Sequence, residues 1–299
     1  MSAVGENGAP FVAAVALAPR SASTDWELVQ ANLRRTIRSV ARGGMGRAVV
    51  ALACHDEPDL GDQTENVQIL RVLFAEPESR WEGGRDRARK RRFIGAWLRD
   101  TLAADHVYVM FLDADDLVHK DLVTHVVEQG AGSYLVDDGY VLDAGVGLLT
   151  RRRSGFFETC GSSFVCRFAR DELPTSWEDL EAPYSQFGTS PDQRGHREWH
   201  HLAAELGRPP SLVPFPSVVY LVNHGENLWS SKWGRSRSID HPRALVPPGS
   251  ARRVLTEDFG AADLAAELAG MSAITEVAVR AAKRRLAGAF PTRLRRGRR

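Results

Sequence analysis

The sequence predicts an α/β fold in which a mostly parallel sheet is flanked by helices, and two patterns carry this prediction. Short runs of apolar residues without polar alternation indicate strands that are buried on both faces, as in parallel sheets. Segments with apolar residues at helical spacing separate these runs, and this alternation of strands and helices is typical of parallel sheets. The second half of the 299-residue chain is less regular, so we expect an irregular C-terminal half that ends in helices.

The first half alternates regularly between the two kinds of segment. Strands are predicted at 10–18, 47–54, 67–74, 107–112 and 133–136. Helices are predicted from Ser23-Thr24-Asp25, a good helix-capping sequence, to the Gly43-Gly44 pair, and then at 85–102 and 120–129. Because strands and helices follow one another in this order, residues 10–135 are expected to build the main sheet.

The second half has fewer clear signals. A hairpin is predicted at 139–153, strands at 164–168 and 218–222, a helix at 199–206, a proline-rich linker at 242–250, and helices at 256–268 and 273–286. We therefore expect one domain over residues 1–240, made of the halves 10–135 and 136–240. A helical extension with a basic tail, residues 241–299, follows it.

The net charge of +1 hides two different parts of the chain. Nine basic residues and no acidic one lie from Arg280 onward, so residues 1–279 carry 30 basic and 38 acidic residues. A hydrophobic fraction of 43% excludes a disordered chain. The acidic body argues against nucleic-acid binding by the whole protein, so no nucleic-acid partner is expected.

No apolar run approaches the roughly 20 residues that span a bilayer. The start of the chain lacks the features of a signal peptide. The three cysteines have no metal-binding or disulfide spacing and are expected to be free thiols in a reducing compartment. We therefore expect a cytoplasmic protein. Residues 273–290 form a basic amphipathic pattern, which indicates either a helix docked on the body or peripheral contact with the inner membrane face.

A cluster of carboxylates directly follows the apolar strand 107–112. It consists of Asp113, Asp115 and Asp116. Ligands of open α/β sheets bind at the carboxyl ends of strands, and the alternation of side chains puts Asp113 and Asp115 on one side. Two such carboxylates suit Mg²⁺ or Mn²⁺ with phosphate oxygens as further ligands. The competing interpretation is that the acidic residues cap the following helix.

With these residues in place, the chain resembles glycosyltransferases of the GT-A type, in the family 2-like group. In the first half the resemblance rests on the Thr24-Asp25 loop, the strand ending at Asp56, the Asp86…Lys90-Arg91 helix and the segment 112–118. Further matches are Asp138-Gly139-Tyr140, Cys160 to Phe164, Gly195-His196 and Tyr220…His224-Gly225-Glu226-Asn227. The resemblance implies a Rossmann-type nucleotide-sugar half at 10–135 and an acceptor half at 136–240.

The resemblance also implies roles for single residues. Asp56 would lie near the nucleotide base, and Asp86, Lys90 and Arg91 near the ribose and diphosphate. Asp113 and Asp115 would bind ribose and metal, Asp116 would touch the donor sugar, and His224 would be a further metal ligand. The implied reaction is metal-dependent transfer of a sugar from a nucleotide diphosphate sugar to a hydroxyl acceptor, such as a surface polysaccharide or a lipid-linked glycan.

The position of the general base departs from the family pattern. Where related enzymes carry a Glu-Asp pair before a helix, this chain has Gly195-His196. His196 could take the acceptor proton because its pKa lies near neutrality, with Asp192 and Glu198 as the carboxylate alternatives. A helix-start hydrogen bond is an equally good interpretation of His196. Two other functions stay open: a nucleotidyltransferase, and a non-catalytic protein that binds nucleotide sugars.

Overall fold

The computed structural model describes residues 10–44, 46–79, 82–187, 195–226 and 244–268. These residues form two sheets with helices packed around them, which confirms the predicted α/β class. The seven-stranded main sheet has the order β10-β6-β9-β4-β1-β2-β3. Its strands are β1 Phe11–Ala16, β2 Ala48–Cys54, β3 Val67–Arg71, β4 His106–Leu112, β6 Ser133–Leu135, β9 Phe164–Ala169 and β10 Ser211–Leu212.

The centre of the main sheet is parallel. β1 pairs in parallel with β2 on one side and with β4 on the other, and β2 pairs in parallel with β3. Only β9 runs against its neighbours β4 and β6. The carboxyl ends of β1, β2 and β4 therefore lie at one edge, where ligands of such sheets bind.

Helices cover both faces of the main sheet, which explains the continuous apolar runs of its central strands. The helices are α1 Trp26–Gly44, α2 Gly83–Thr101, α3 Leu122–Gln129 and α4 Trp199–Glu205. α1 and α3 pack with Phe11, Ala13 and Val15 on one face. α2 and α4 pack with Val12 and Ala14 on the other. The Asp25 carboxylate accepts the Leu28 backbone N–H at 3.0 Å, as expected of a capping residue.

The smaller sheet has five strands in the order β12-β8-β7-β11-β5. They are β5 Leu117–Val118, β7 Gly139–Asp143, β8 Leu148–Arg152, β11 Val218–Val222 and β12 Ala244–Leu245. β7 and β8 form the predicted hairpin, and β11 runs parallel to β7. Because β5 follows the carboxylate cluster, this sheet places the end of β11 next to the end of β4.

The C-terminal extension differs from its prediction. The expected linker at 242–250 contains β12 and the start of a helix, α5 Pro248–Arg253, because proline is well tolerated in the first helical turn. The expected single helix at 256–268 is also wrong. A wide π turn, Val254–Asp258, leads to Gly260 with φ 70°, and the chain becomes helical again at 262–268, here called α6. The predicted helix at 273–286 and the basic tail lie outside the described residues.

The described part of the extension packs against the smaller sheet. Its apolar residues join those of β5, β7, β8 and β11 in a third buried cluster, which contains Leu255, Phe259, Leu264 and Leu268. Among the described residues, no helix is both long and apolar enough to cross a bilayer. The three cysteines are free, as predicted, and the structure shows that they are also buried.

Candidate functional site

A pocket of about 210 Å³ opens at the carboxyl ends of β1 and β4. The residues after β1, the first turns of α2, the carboxylate cluster and the segment after β11 all contribute to its wall. Its charged and amide-bearing side chains are Asn32, Asp86, Arg87, Asp113, Asp115, His224 and Glu226. The predicted binding edge of the sheet therefore holds a cavity with a largely apolar lining, into which Asp113 and Asp115 bring carboxylates at the end of β4.

Asp113 and Asp115 both lie on the pocket wall, but Ala114 between them lines it too, because the three residues form a turn after β4 rather than an extension of the strand. The Asp113 backbone N–H donates to Ser162 Oγ at 2.9 Å, which fixes the start of the loop. The Asp113 carboxylate lies 3.4 Å from the guanidinium of Arg91 and 3.7 Å from that of Arg87. The Asp115 carboxylate lies 2.7 Å from His224 Nε2.

His224 belongs to a short segment after β11, residues 223–226, which we call the β11 strap. Asn223 and Gly225 have positive φ values of 60° and 97°, and His224 and Glu226 of the strap line the pocket. Its end is tied to the start of α1, where the Glu226 carboxylate accepts the backbone N–H groups of Thr24 and Asp25 at 3.0 and 2.8 Å. The His224 side chain is 6% exposed, so it is held against the carboxylate rather than lying free in solvent.

Asp116 lies beneath the pocket and is fully buried. Its carboxylate accepts hydrogen bonds from Ser162 Oγ at 2.6 Å and from the Leu221 backbone N–H at 3.1 Å. Burial raises the pKa of Asp116 well above its ordinary value, and the charges of Asp115 and Asp113 act in the same direction. Asp116 thus joins the loop to β11 from below, and its contact with a donor sugar stays a prediction.

Asp86 and Lys90 lie one turn apart on α2 and form a buried ion pair next to the end of β1. Lys90 Nζ donates to Asp86 Oδ2 at 2.6 Å and to the Leu17 carbonyl at 2.7 Å, and His55 Nε2 lies 2.8 Å from Asp86 Oδ1. Burial lowers the pKa of Lys90, whereas the Asp86 carboxylate raises it. Asp86 reaches the pocket wall, but Lys90 is fully buried behind it. The predicted contact of Lys90 with a diphosphate is untested.

The neighbouring arginines divide between the pocket wall and the layer behind it. Arg91 is buried, with its guanidinium 5.0 Å from the Phe111 ring and 5.7 Å from the Trp199 ring. Burial lowers its pKa to about 10, and the charge of Arg87 adds to this shift, so Arg91 stays cationic at neutral pH. Arg87 lines the pocket with its side chain 45% exposed.

Sequence reasoning missed Arg87. The available signal was its spacing, because Arg87 lies four residues before Arg91 and therefore on the same helix face. The start of α2 also reaches the pocket through Gly83, and the residue before it provides no side-chain cap. The uncapped N–H groups of a helix start attract anions. A phosphate group in this pocket would therefore meet Arg87 and the positive end of α2.

Besides Asp116, Lys90 and Arg91, two further predicted site residues, Asp56 and His196, do not line the pocket. Asp56 Oδ2 accepts the Arg20 backbone N–H at 2.8 Å, which holds the loop between β1 and α1. His196 begins the turn before α4, with Nε2 3.4 Å from the Glu158 carbonyl. Burial lowers the pKa of His196, and the Glu158 carbonyl and Asp113 oppose that shift. Asp192 lies outside the described residues.

The donor atoms at the pocket are compatible with a hard divalent cation. Within the described ranges, no three His, Cys, Asp or Glu side chains are grouped closely enough to hold a metal ion by themselves. Asp115 and His224 nevertheless offer one oxygen and one nitrogen side by side, and Asp113 lies on the same wall. Mn²⁺ and Mg²⁺ often take one or two protein ligands and complete their shell with waters and phosphate oxygens.

No family model matches the sequence, and no curated protein matches it. Among solved structures 22 chains match, and one of them is the apo structure of WbbM, described as a bifunctional glycosyltransferase. That match has a TM-score of 0.32 and 9% sequence identity, and it covers 72% of this chain. The chain spans about 40% of the length of that structure.

Proposed function

We propose that the protein is a glycosyltransferase that moves a sugar from a nucleotide diphosphate sugar to a hydroxyl acceptor with the help of Mn²⁺ or Mg²⁺. One observation carries the proposal. Asp113, Asp115, Arg87 and the start of α2 line a single pocket at the carboxyl ends of parallel strands. Carboxylates for a cation and positive groups for a diphosphate are thereby brought together, and a donor of this class needs both.

The protein groups would divide the work on the donor. Asp115 would hold the cation, with His224 beside its carboxylate, and the cation when bound supplies positive charge for the departing diphosphate. Arg87 and the uncapped N–H groups of α2 would bind phosphate oxygens directly. Arg91 stays behind the wall and keeps Asp113 oriented through their 3.4 Å contact. The buried pair of Asp86 and Lys90 fixes the end of β1, and so the floor of the pocket, through the Leu17 carbonyl.

The proton of the acceptor hydroxyl needs a base, for which His196 and Asp192 are the proposed residues. A lowered pKa favours the neutral imidazole at neutral pH, which is the form that accepts a proton. The negative charge of Asp113 raises the pKa of His196, so the two side chains interact, and this supports a place for His196 on the acceptor side of the site. The acceptor itself is proposed to be a glycan or a lipid-linked sugar.

A panel of nucleotide sugars and simple sugar acceptors tests the proposal. The full chain is incubated with each donor in Mn²⁺ or Mg²⁺, and release of nucleoside diphosphate is measured with and without acceptor. We expect acceptor-dependent release with at least one donor, and its loss in EDTA. Donor binding without release would instead support the non-catalytic alternative, which the bond between His196 and the Glu158 carbonyl favours. Release of pyrophosphate from a nucleoside triphosphate and a sugar phosphate would identify a nucleotidyltransferase.

A further inference from the structure

Two carboxylates of the C-terminal extension hold a buried arginine of α1. Arg35 Nε donates to Asp263 Oδ2 at 2.8 Å, and a terminal guanidinium nitrogen donates to Glu267. The Arg35 side chain is 9% exposed, whereas those of Asp263 and Glu267 are 43% and 56% exposed. The extension therefore holds a buried side chain of α1, a helix that packs on the main sheet.

The same arginine contacts Asn32, which lies one turn earlier on α1. Arg35 Nη1 donates to Asn32 Oδ1 at 3.0 Å, and Asn32 Nδ2 lies 3.5 Å from His224 Nδ1. A guanidinium can only donate, so the Asn32 carbonyl faces Arg35 and its NH₂ group faces the imidazole. Asn32 is 2% exposed, so its amide is confined between these two partners.

His224 in turn contacts Asp115 at 2.7 Å. A continuous series of polar contacts thus runs from α6 through Arg35, Asn32 and His224 to the pocket wall. We call this series the α6 relay. The extension makes two further contacts with α1 that do not involve Asn32 or His224. Arg38 lies 3.5 Å from Asp263, and Arg42 donates to the Thr256 carbonyl.

We propose that Arg35 and Asn32 are positioning residues, and that docking of α6 on α1 sets the orientation of His224 and thereby the affinity of the pocket for a divalent cation. The cation part rests on the proposed function, whereas the ordering of the β11 strap does not. The coupling is reciprocal, as any linkage between two binding events must be. A cation bound in the pocket therefore also strengthens the docking of α6.

The test breaks the outer end of the relay and leaves the site residues intact. The Asp263→Asn/Glu267→Gln double variant keeps the size of both side chains and removes the charges that hold Arg35. Arg38→Gln is the matched control, because it removes a contact with Asp263 but touches no member of the relay between Arg35 and Asp115. Both proteins and the parent chain are compared by hydrogen exchange over residues 218–226 and by Mn²⁺ titration followed by electron paramagnetic resonance.

We expect the double variant to exchange faster in the strap and to bind Mn²⁺ at least about fivefold more weakly, within the usual range of such couplings. Arg38→Gln should match the parent chain in both measurements. Asn32→Leu, with the extension contacts intact, should give the same two changes as the double variant and covers the case in which the double variant unfolds. Unchanged strap exchange in both relay variants, or equal changes in Arg38→Gln, would overturn the proposal. If the parent chain binds no Mn²⁺, the metal dependence of the proposed function is contradicted. Hydrogen exchange in the strap then tests the relay by itself.

Discussion

The wall of the pocket and the layer directly behind it both contain acidic and basic side chains, but these differ in exposure to solvent. On the wall, Asp113, Asp115 and Arg87 are partly exposed, with side chains 29%, 21% and 45% open to solvent. Behind it, Asp116 and Lys90 are completely buried and are held by hydrogen bonds within the protein. Position relative to the sheet, rather than residue type, separates groups that can meet a ligand from groups that hold the site together.

Replacing Lys90 should have the largest effect on stability. Lys90→Met leaves the buried Asp86 carboxylate without its cation and the Leu17 carbonyl without its donor. Breaking a buried pair in this way costs about 3–5 kcal/mol of unfolding free energy. Urea unfolding measures the loss, with Arg85→Met, an exposed change on the same helix, as the control. A loss of unfolding free energy below about 1 kcal/mol would contradict the structural role assigned to the buried pair.

Replacing Asp115 should remove activity without unfolding the protein. Asp115→Asn keeps the shape of the side chain but removes the negative charge beside His224. We expect release of nucleoside diphosphate to fall by about 10²–10³-fold, as for loss of one group that stabilises developing charge. The thermal midpoint should stay within a few degrees of the parent value, because the residue is partly exposed. Full turnover in this variant would exclude Asp115 as a metal ligand.

Replacing Arg87 should have an intermediate effect that is confined to the ligand. Arg87→Gln removes a cation from the wall, whereas Arg85→Gln removes one from an exposed position two residues away. Loss of a charged hydrogen bond to a phosphate is expected to weaken nucleoside diphosphate binding about tenfold. Isothermal titration in Mn²⁺ measures this change. Equal affinities of the two variants would place the diphosphate away from Arg87.

The smallest expected effect is a pH dependence of stability from Asp116. Its pKa is raised in the folded protein, so the folded state holds a proton that the unfolded state releases above about pH 4. The contribution of Asp116 to stability therefore falls as pH rises from about 4 toward the folded pKa. Asp116→Asn lacks this term, so its stability relative to the parent chain should be higher at pH 8 than at pH 5. Urea unfolding at both pH values checks the sign, and an unchanged difference would contradict it.

Much of the main sheet and the location of the site were predictable from sequence. β1, β2 and β4 are apolar throughout, and Asp113 and Asp115 follow β4 directly, so local pattern placed both carboxylates at the ligand edge. Sequence could not say that Asp116 would be buried, because its partners Ser162 and Leu221 lie 46 and 105 residues further along the chain. Such contacts depend on the pairing of β9 and β11 with other strands, which local periodicity does not encode.

The C-terminal extension shows the same limit. Its helical tendency could be predicted from sequence. The break at Gly260 and the ion pairs with Arg35 could not. Arg35 lies 228 residues before Asp263, and within α1 it looks like one of several surface arginines. A charged residue is identified as buried only when its partners are known. The long-range ion pairs were therefore the part of the structure that sequence patterns left open.

A thermal-shift titration with nucleoside diphosphates, with and without Mn²⁺, tests the central claim most directly. A ligand that binds only the folded protein raises the unfolding midpoint. We expect at least one nucleoside diphosphate to raise it, more strongly with Mn²⁺ than without, and Asp115→Asn to lose the part of the shift that depends on Mn²⁺. If no nucleoside diphosphate shifts the midpoint under either condition, the pocket at the ends of β1 and β4 is not a nucleotide-sugar site.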